Sequence, residues 1–194
     1  MGVGTSSPVG ILGGAFDPPH LGHLALAEQA VRHFRLQRLL VRVVADPGHK
    51  EVGTPAETRL LLAELAFASL DEAEVALDEH PRTVDSLEAL GVTDPVFLIG
   101  ADEFADFPGW KQPERVLELA RLGVATRPGT DRAAIESVLS RLARPERIEL
   151  FPIVPLDIAS SQIRQRVAAG ESVDGLVPAA VAAEIERLGL YRAA

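Results

Sequence analysis

The sequence predicts an α/β fold, a doubly wound and mainly parallel sheet with helices on both faces. Short apolar runs rich in β-branched residues alternate with longer amphipathic stretches along the whole chain, the pattern of repeated strand–helix–strand units. The runs are apolar nearly throughout, as strands covered on both faces must be. Every motif with chemical potential follows such a run, on the rim where parallel sheets hold their ligands.

Val9-Gly10-Ile11-Leu12 is the first strand. Gly13 to His23, read Gly-Gly-Ala-Phe-Asp-Pro-Pro-His-Leu-Gly-His, turns into a helix over 21–34, where Leu24, Val31 and Phe34 recur at helical spacing. Arg38 to Ala45 is the second strand, and Asp46-Pro47-Gly48-His49-Lys50 is the loop at its carboxyl end. Thr54-Pro55-Ala56-Glu57 has the form of a capping box with proline at the first helical position. The helix it opens runs to about Ser69 and is filled with leucine and alanine. Glu74 to Asp78 reads as the third strand, and Thr83 as the cap of a short helix through Leu90. Pro95 to Ile99 is the fourth strand, followed by Gly100-Ala101-Asp102. A helical stretch over 114–120 leads to the fifth strand, Leu122 to Thr126, which ends in Arg127-Pro128-Gly129. A helix over 131–142 and a last strand over 148–153 follow. Ser160 or Ser161 caps a helix that stops near Ala169, with Gly170 as its left-handed terminator. Pro178 to Leu188 is the final helix.

The 194 residues fit one domain at about 150 residues each, here 1–194 with a helical C-terminal segment from about 160. Hydrophobic residues make up 47% and charged residues 24%, a globular mix rather than a disordered one. There is no cysteine, so disulfides and thiolate metal sites are excluded. No leader pattern and no membrane-length apolar run is visible, and a cytoplasmic, membrane-free setting is expected. The net charge of −9 argues against a broad nucleic-acid surface. It leaves room for a cleft on which Lys50, Arg127 and Arg164 converge. Nothing points to a protein partner.

Strand, glycine turn and helix N-terminus in that order make a phosphate site, because unpaired N–H groups and the positive end of the helix dipole face one point. Gly13 and Gly14 allow close backbone approach. His20 and His23, three apart, share a helix face and can donate to phosphate oxygens whether charged or neutral. Asp102 after the fourth strand suits ribose hydroxyls, and Trp110 offers a flat face to a ring; a helix-starting aspartate and a packed tryptophan would leave the same trace. In Ile158-Ala159-Ser160-Ser161-Gln162-Ile163-Arg164 the arginine falls in the first helical turn, against the dipole. An anion between them would explain it, and so would a side chain that reaches solvent. His49-Lys50 and Arg127 fit exposed turns equally well. His33 and His80 stand in no motif.

The first motif resembles the signature of the nucleotidyltransferase superfamily with His-x-Gly-His. Pro-x-His-Lys, Gly-x-Asp with a downstream tryptophan, Arg-Pro-Gly, Ile-x-Ser-Ser-x-Ile-Arg and the closing Val177-Pro178 and Gly189-Leu190-Tyr191 follow in the order seen in bacterial nicotinate-nucleotide adenylyltransferases. The resemblance covers Ile11 to Arg192. It implies a Rossmann-like nucleotidylyl transferase fold and transfer of AMP from ATP to nicotinate mononucleotide, giving deamido-NAD and pyrophosphate in NAD synthesis. It implies that Gly13, Gly14, Phe16, Asp17, His20, His23, Gly100, Asp102, Ser160, Ser161 and Arg164 bind ATP. Asp17, Lys50, Thr83, Trp110 and Arg127 bind the acceptor, with Trp110 stacked on the pyridine. His20, His23, Lys50 and Arg164 carry catalysis, and Mg²⁺ is held mainly by the ATP phosphates, with no protein ligands.

The chain departs from the family at three points. Pro81-Arg82-Thr83 replaces a longer Pro-Ser-Tyr-Thr, the loop before His49-Lys50 is short, and Ala159 and Ser161 stand for a usual serine and threonine. The first two lie on the acceptor side. The alternatives are transfer to nicotinamide mononucleotide, phosphopantetheine or a small phosphorylated alcohol on the same fold, and a non-catalytic nucleotide sensor.

Overall fold

The computed structural model describes residues 7–48 and 52–193. Its sheet has six strands: β1 (Val9–Gly14), β2 (Arg38–Val44), β3 (Ala73–Asp78), β4 (Val96–Gly100), β5 (Arg121–Thr126) and β6 (Ile148–Pro152). All neighbours pair in parallel, in the order β3-β2-β1-β4-β5-β6. The helices are α1 (Leu21–Phe34), α2 (Ala56–Phe67), α3 (Thr83–Leu90), α4 (Ala101–Asp106), α5 (Pro113–Leu119), α6 (Arg132–Leu139), α7 (Ser160–Ala168) and α8 (Ala179–Leu188).

Strand alternation feeds two cores, one on each face. Leu39, Val41 and Val43 join α1, α2, α7 and α8 on one side, where Ala27, Leu62, Ile163, Val181 and Ile185 are buried. Leu40, Phe97, Ile99 and Val124 face the other side, under α3, α4, α5 and α6. The C-terminal helices therefore share a core with β1, β2 and α2. No helix among the described residues is long and apolar enough to cross a membrane.

The chain builds outward from β1 through β2 to β3, then returns to lay β4 on the other side of β1. Connections leave β1 and β4 toward opposite faces, and a crevice opens at their carboxyl ends. Gly13 and Gly14, read as a turn, instead finish β1 opposite Arg42 and Val43, because backbone pairing needs no side chain. The short α4 was invisible as a period, having six residues. The expected hydroxyl caps do not form. Pro55 precedes α2, while Thr83 and Ser160 are the first residues of α3 and α7. Asp131 does cap α6, accepting from the N–H groups of Ala133 and Ala134, and Gly170 takes φ +70° after α7.

Candidate active site

The β1–α1 loop is held in one shape by its own side chains. Phe16 takes φ +51°, a region bulky residues rarely enter, and its buried ring packs edge-on against His23 and Phe67. A methyl group on Gly14 would lie 3.0 Å from that ring. His20 ends the loop, and its backbone N–H donates to Nδ1 of His23 at 3.2 Å. The two imidazoles stack with centroids 3.7 Å apart. Gly22 makes room for this, since a methyl group there would sit 2.9 Å from Nδ1 of His20. Burial lowers the His20 pKa to about 4, so the ring is neutral at pH 7, and its Nδ1 is buried without a hydrogen-bond partner.

The C-terminal segment closes on the same loop. Ser160 Oγ donates to the carbonyl of Pro18 at 2.9 Å, and Arg164 Nη1 donates to that of Asp17 at 2.7 Å. Arg164 is the fifth residue of α7, past the first turn, and one of its N–H groups is held by the Asp17 carbonyl. Tyr191 donates its hydroxyl to Oδ1 of Asp17 at 2.6 Å, while Oδ2 of this buried carboxyl has no partner. Burial and that hydrogen bond raise the Tyr191 pKa. Underneath lies Arg59 of α2, 1% exposed. It donates to the carbonyls of Thr54, Ala15, Val44 and Ala45 at 2.7–3.0 Å, tying the ends of β1 and β2 together.

Beside the loop a cleft of about 370 Å³ opens over the carboxyl ends of β1, β2 and β4. Its floor carries Ile11, Gly13, Arg42, Val44, Phe97 and Ile99. The β3–α3 connection, Asp78 to Ser86, forms one side, and Glu103, Asp106 and Gly109-Trp110-Lys111 another. Trp110 is fixed by edge contacts to Phe97 and Phe107. Buried Asp78 accepts from the Ser86 hydroxyl and from the His80 N–H, and His80 Nδ1 lies 2.9 Å from its Oδ1.

The site residues expected from sequence thus fall into three groups. Asp17, His20, His23, Ser160 and Arg164 meet at the N-terminus of α1, with Ser161 exposed nearby in α7. Gly13, Gly14, Thr83 and Trp110 line the cleft. Gly100 ends β4, and beyond it Asp102 and Arg127, expected on different substrates, bind each other at 2.8 Å. Arg127 and Arg164 do not pool their charge; each holds a different partner. Phe16 is 2% exposed and backs His23 from the core. His49 and Lys50 lie outside the described residues. Sequence reasoning missed Arg59, His80 and the reach of Tyr191. An arginine on the leucine–alanine face of α2 was the available signal for the first. Among the described residues no three His, Asp or Glu side chains form a metal cage.

Residues 11–166 match the cytidylyltransferase-like family. A protein of Roseiflexus sp. (strain RS-1) named "probable nicotinate-nucleotide adenylyltransferase" is 40% identical, covering 97% of this chain and 100% of its own. One of the same name from Bordetella avium (strain 197N) is 35% identical over 96% and 98%. Among solved structures, Plasmodium falciparum nicotinic acid mononucleotide adenylyltransferase complexed with NaAD superposes with a TM-score of 0.78 at 17% identity, covering 96% of this chain and 98% of that one. At that identity the likeness is one of fold.

Proposed function

The chain belongs to the cytidylyltransferase-like family and, within it, to the nicotinate-nucleotide adenylyltransferases, and from that premise we propose that it transfers AMP from ATP to nicotinate mononucleotide, releasing deamido-NAD and pyrophosphate in NAD synthesis. One observation carries the reading. The stacked histidine pair at the start of α1, with His20 buried and His23 half-buried, stands next to a tryptophan-lined cleft at the crevice between β1 and β4. A triphosphate on the helix N-terminus and an acceptor ring in the cleft would meet over Gly13 and Gly14.

The acceptor phosphate is ionised at neutral pH, so no general base is required. One of its oxygens attacks the α-phosphorus of ATP in line. The bond from that phosphorus to the bridging oxygen breaks, and pyrophosphate leaves with the electron pair. The protein contributes placement and charge stabilisation. Neutral His20 would act as a hydrogen-bond donor rather than a cation. Arg164 keeps guanidinium N–H groups beyond the one given to Asp17. Phe16 supports His23 from behind, and Lys50 is assigned to the phosphates by its motif alone. Magnesium would be held mainly by the ATP phosphates and would help neutralise their charge. A cytoplasmic setting is in keeping with the absence of cysteine.

The test is pyrophosphate release from ATP and Mg²⁺ with nicotinate mononucleotide. His20→Ala is expected to lower kcat ~10²–10³-fold, the scale of losing one preorganised donor, and to weaken ATP binding less. Near-normal turnover would remove His20 from the chemistry.

A further inference from the structure

His20 is fixed from both sides by residues late in the chain. Before it, the carbonyls of Asp17 and Pro18 accept from Arg164 and Ser160, and the Asp17 carboxyl takes the Tyr191 hydroxyl. After it, the N–H of Leu21 donates to the carbonyl of Leu176 at 2.9 Å. Residues between 160 and 191 thus set the loop that carries the histidine pair. Leu176 bonds through its backbone, and Ser160 and Arg164 are assigned to the nucleotide by their motif. Tyr191 has no such assignment, and it lines no part of the cleft. Its backbone is nevertheless strained. Gly189 ends α8 at φ +63°, and two residues on Tyr191 takes φ +60°, a region bulky side chains rarely enter. Phe16, the neighbour of Asp17 in sequence, takes φ +51°. Two bulky residues in left-handed backbone therefore flank one carboxyl.

Strain of this kind persists only where surrounding contacts over-determine it, and it gathers where placement matters. The Asp17 carboxyl is 3% exposed and absent from the cleft lining, so it acts on the loop from within. A hydroxyl donating to a buried carboxylate is among the stronger hydrogen bonds. We propose that Tyr191 is a positioning residue for the nucleotide: acting through the Asp17 carboxyl, it holds the β1–α1 loop in the shape that presents His20 and His23, so that docking of the C-terminal segment and ATP binding form one linked equilibrium. Linkage is reciprocal. A docked Tyr191 favours ATP, and bound ATP tightens the hold on residues 176–191. The inference rests on reading the N-terminus of α1 as the ATP site, and it adds to that site a residue that touches no substrate.

The experiment titrates a non-hydrolysable ATP analogue with Mg²⁺ into the full chain by calorimetry, for wild type, Tyr191→Phe, Asp17→Ala and the double variant, at a temperature where circular dichroism shows each folded. Tyr191→Phe is expected to weaken the analogue ~5–50-fold, within the range of coupling between sites. In turnover its KM for ATP should rise more than kcat falls, with KM for nicotinate mononucleotide unchanged. A tyrosine that only stabilises the fold would leave the analogue's affinity for the folded protein as it is in wild type. In the Asp17→Ala background Tyr191→Phe should add nothing, because it acts through that carboxyl. Unaltered affinity in Tyr191→Phe, or full additivity in the double variant, overturns the proposal. If Tyr191→Phe does not fold, hydrogen exchange of the wild type decides. The analogue should slow exchange of the amides over 176–191, and no slowing overturns the proposal. A wild type that binds the analogue yet releases no pyrophosphate with nicotinate mononucleotide sinks the transfer reading alone, and the affinities still decide the role of Tyr191.

Discussion

His20 shows how one residue's surroundings set its chemistry. A histidine in a glycine–proline loop would ordinarily be exposed and near half-protonated at mildly acid pH. Here stacking on His23 and cover from the loop keep it 8% exposed, and burial holds its pKa at about 4. The unfolded chain therefore binds a proton at His20 that the folded chain refuses. Between about pH 6.5 and pH 4 stability must fall as pH falls, by up to ~3 kcal/mol from this group. Urea unfolding of wild type and His20→Gln at pH 7.5 and 4.5 checks this. The variant should lose less stability on acidification, and identical slopes would mean that His20 titrates normally.

At the scale of elements, α2 does more than cover the sheet. Leu62, Ala63, Ala66 and Phe67 fill the core, while Arg59 holds the loops that follow β1 and β2 by four carbonyls. Those carbonyls lie at or just beyond the last paired residues of the strands and before α2, and without the guanidinium they would lose a charged donor in a largely buried setting. Arg59→Met is expected to cost upward of about 3 kcal/mol, read as a lower denaturation midpoint. Arg59→Lys should not restore it, because a point charge cannot span four acceptors. An unaltered midpoint would show that water replaces the arginine. The element pattern itself was largely legible in the sequence. β1, α1, β2, α2 and the later strands were recoverable from apolar runs and helical spacing, since those periods follow from backbone geometry alone. Gly170 as the terminator of α7 was legible too, but the hydroxyl caps were not, because a hydroxyl before a helix has competing partners, and Ser160 takes the Pro18 carbonyl.

Across the whole molecule, the last residues lock the first motif. Tyr191 reaches Asp17 over 174 positions of sequence, carried there by α8, whose Val181 and Ile185 sit in the core with β1 and β2. Tyr191→Phe keeps the packing and removes the donor, leaving both oxygens of a buried carboxyl without that support. A loss of about 1–3 kcal/mol is expected by denaturation, with a fall in kcat if Asp17 must be held to place the substrates. Unchanged stability and turnover would mean that the loop holds Asp17 by itself.

The alternation of strands and helices, the position of the Gly13–His23 motif at a helix start and the family are all written in the order of residues. These are local facts, written in spacing and turn residues. Folding was needed to set β4 beside β1, Asp102 against Arg127, His80 and Arg42 with Thr83 and Trp110 in one cleft, and Arg164 and Tyr191 on Asp17. The physical reason is that long-range partners are chosen by packing. Which buried polar group meets which depends on where the two cores bring their elements to rest, and a one-dimensional pattern does not contain that.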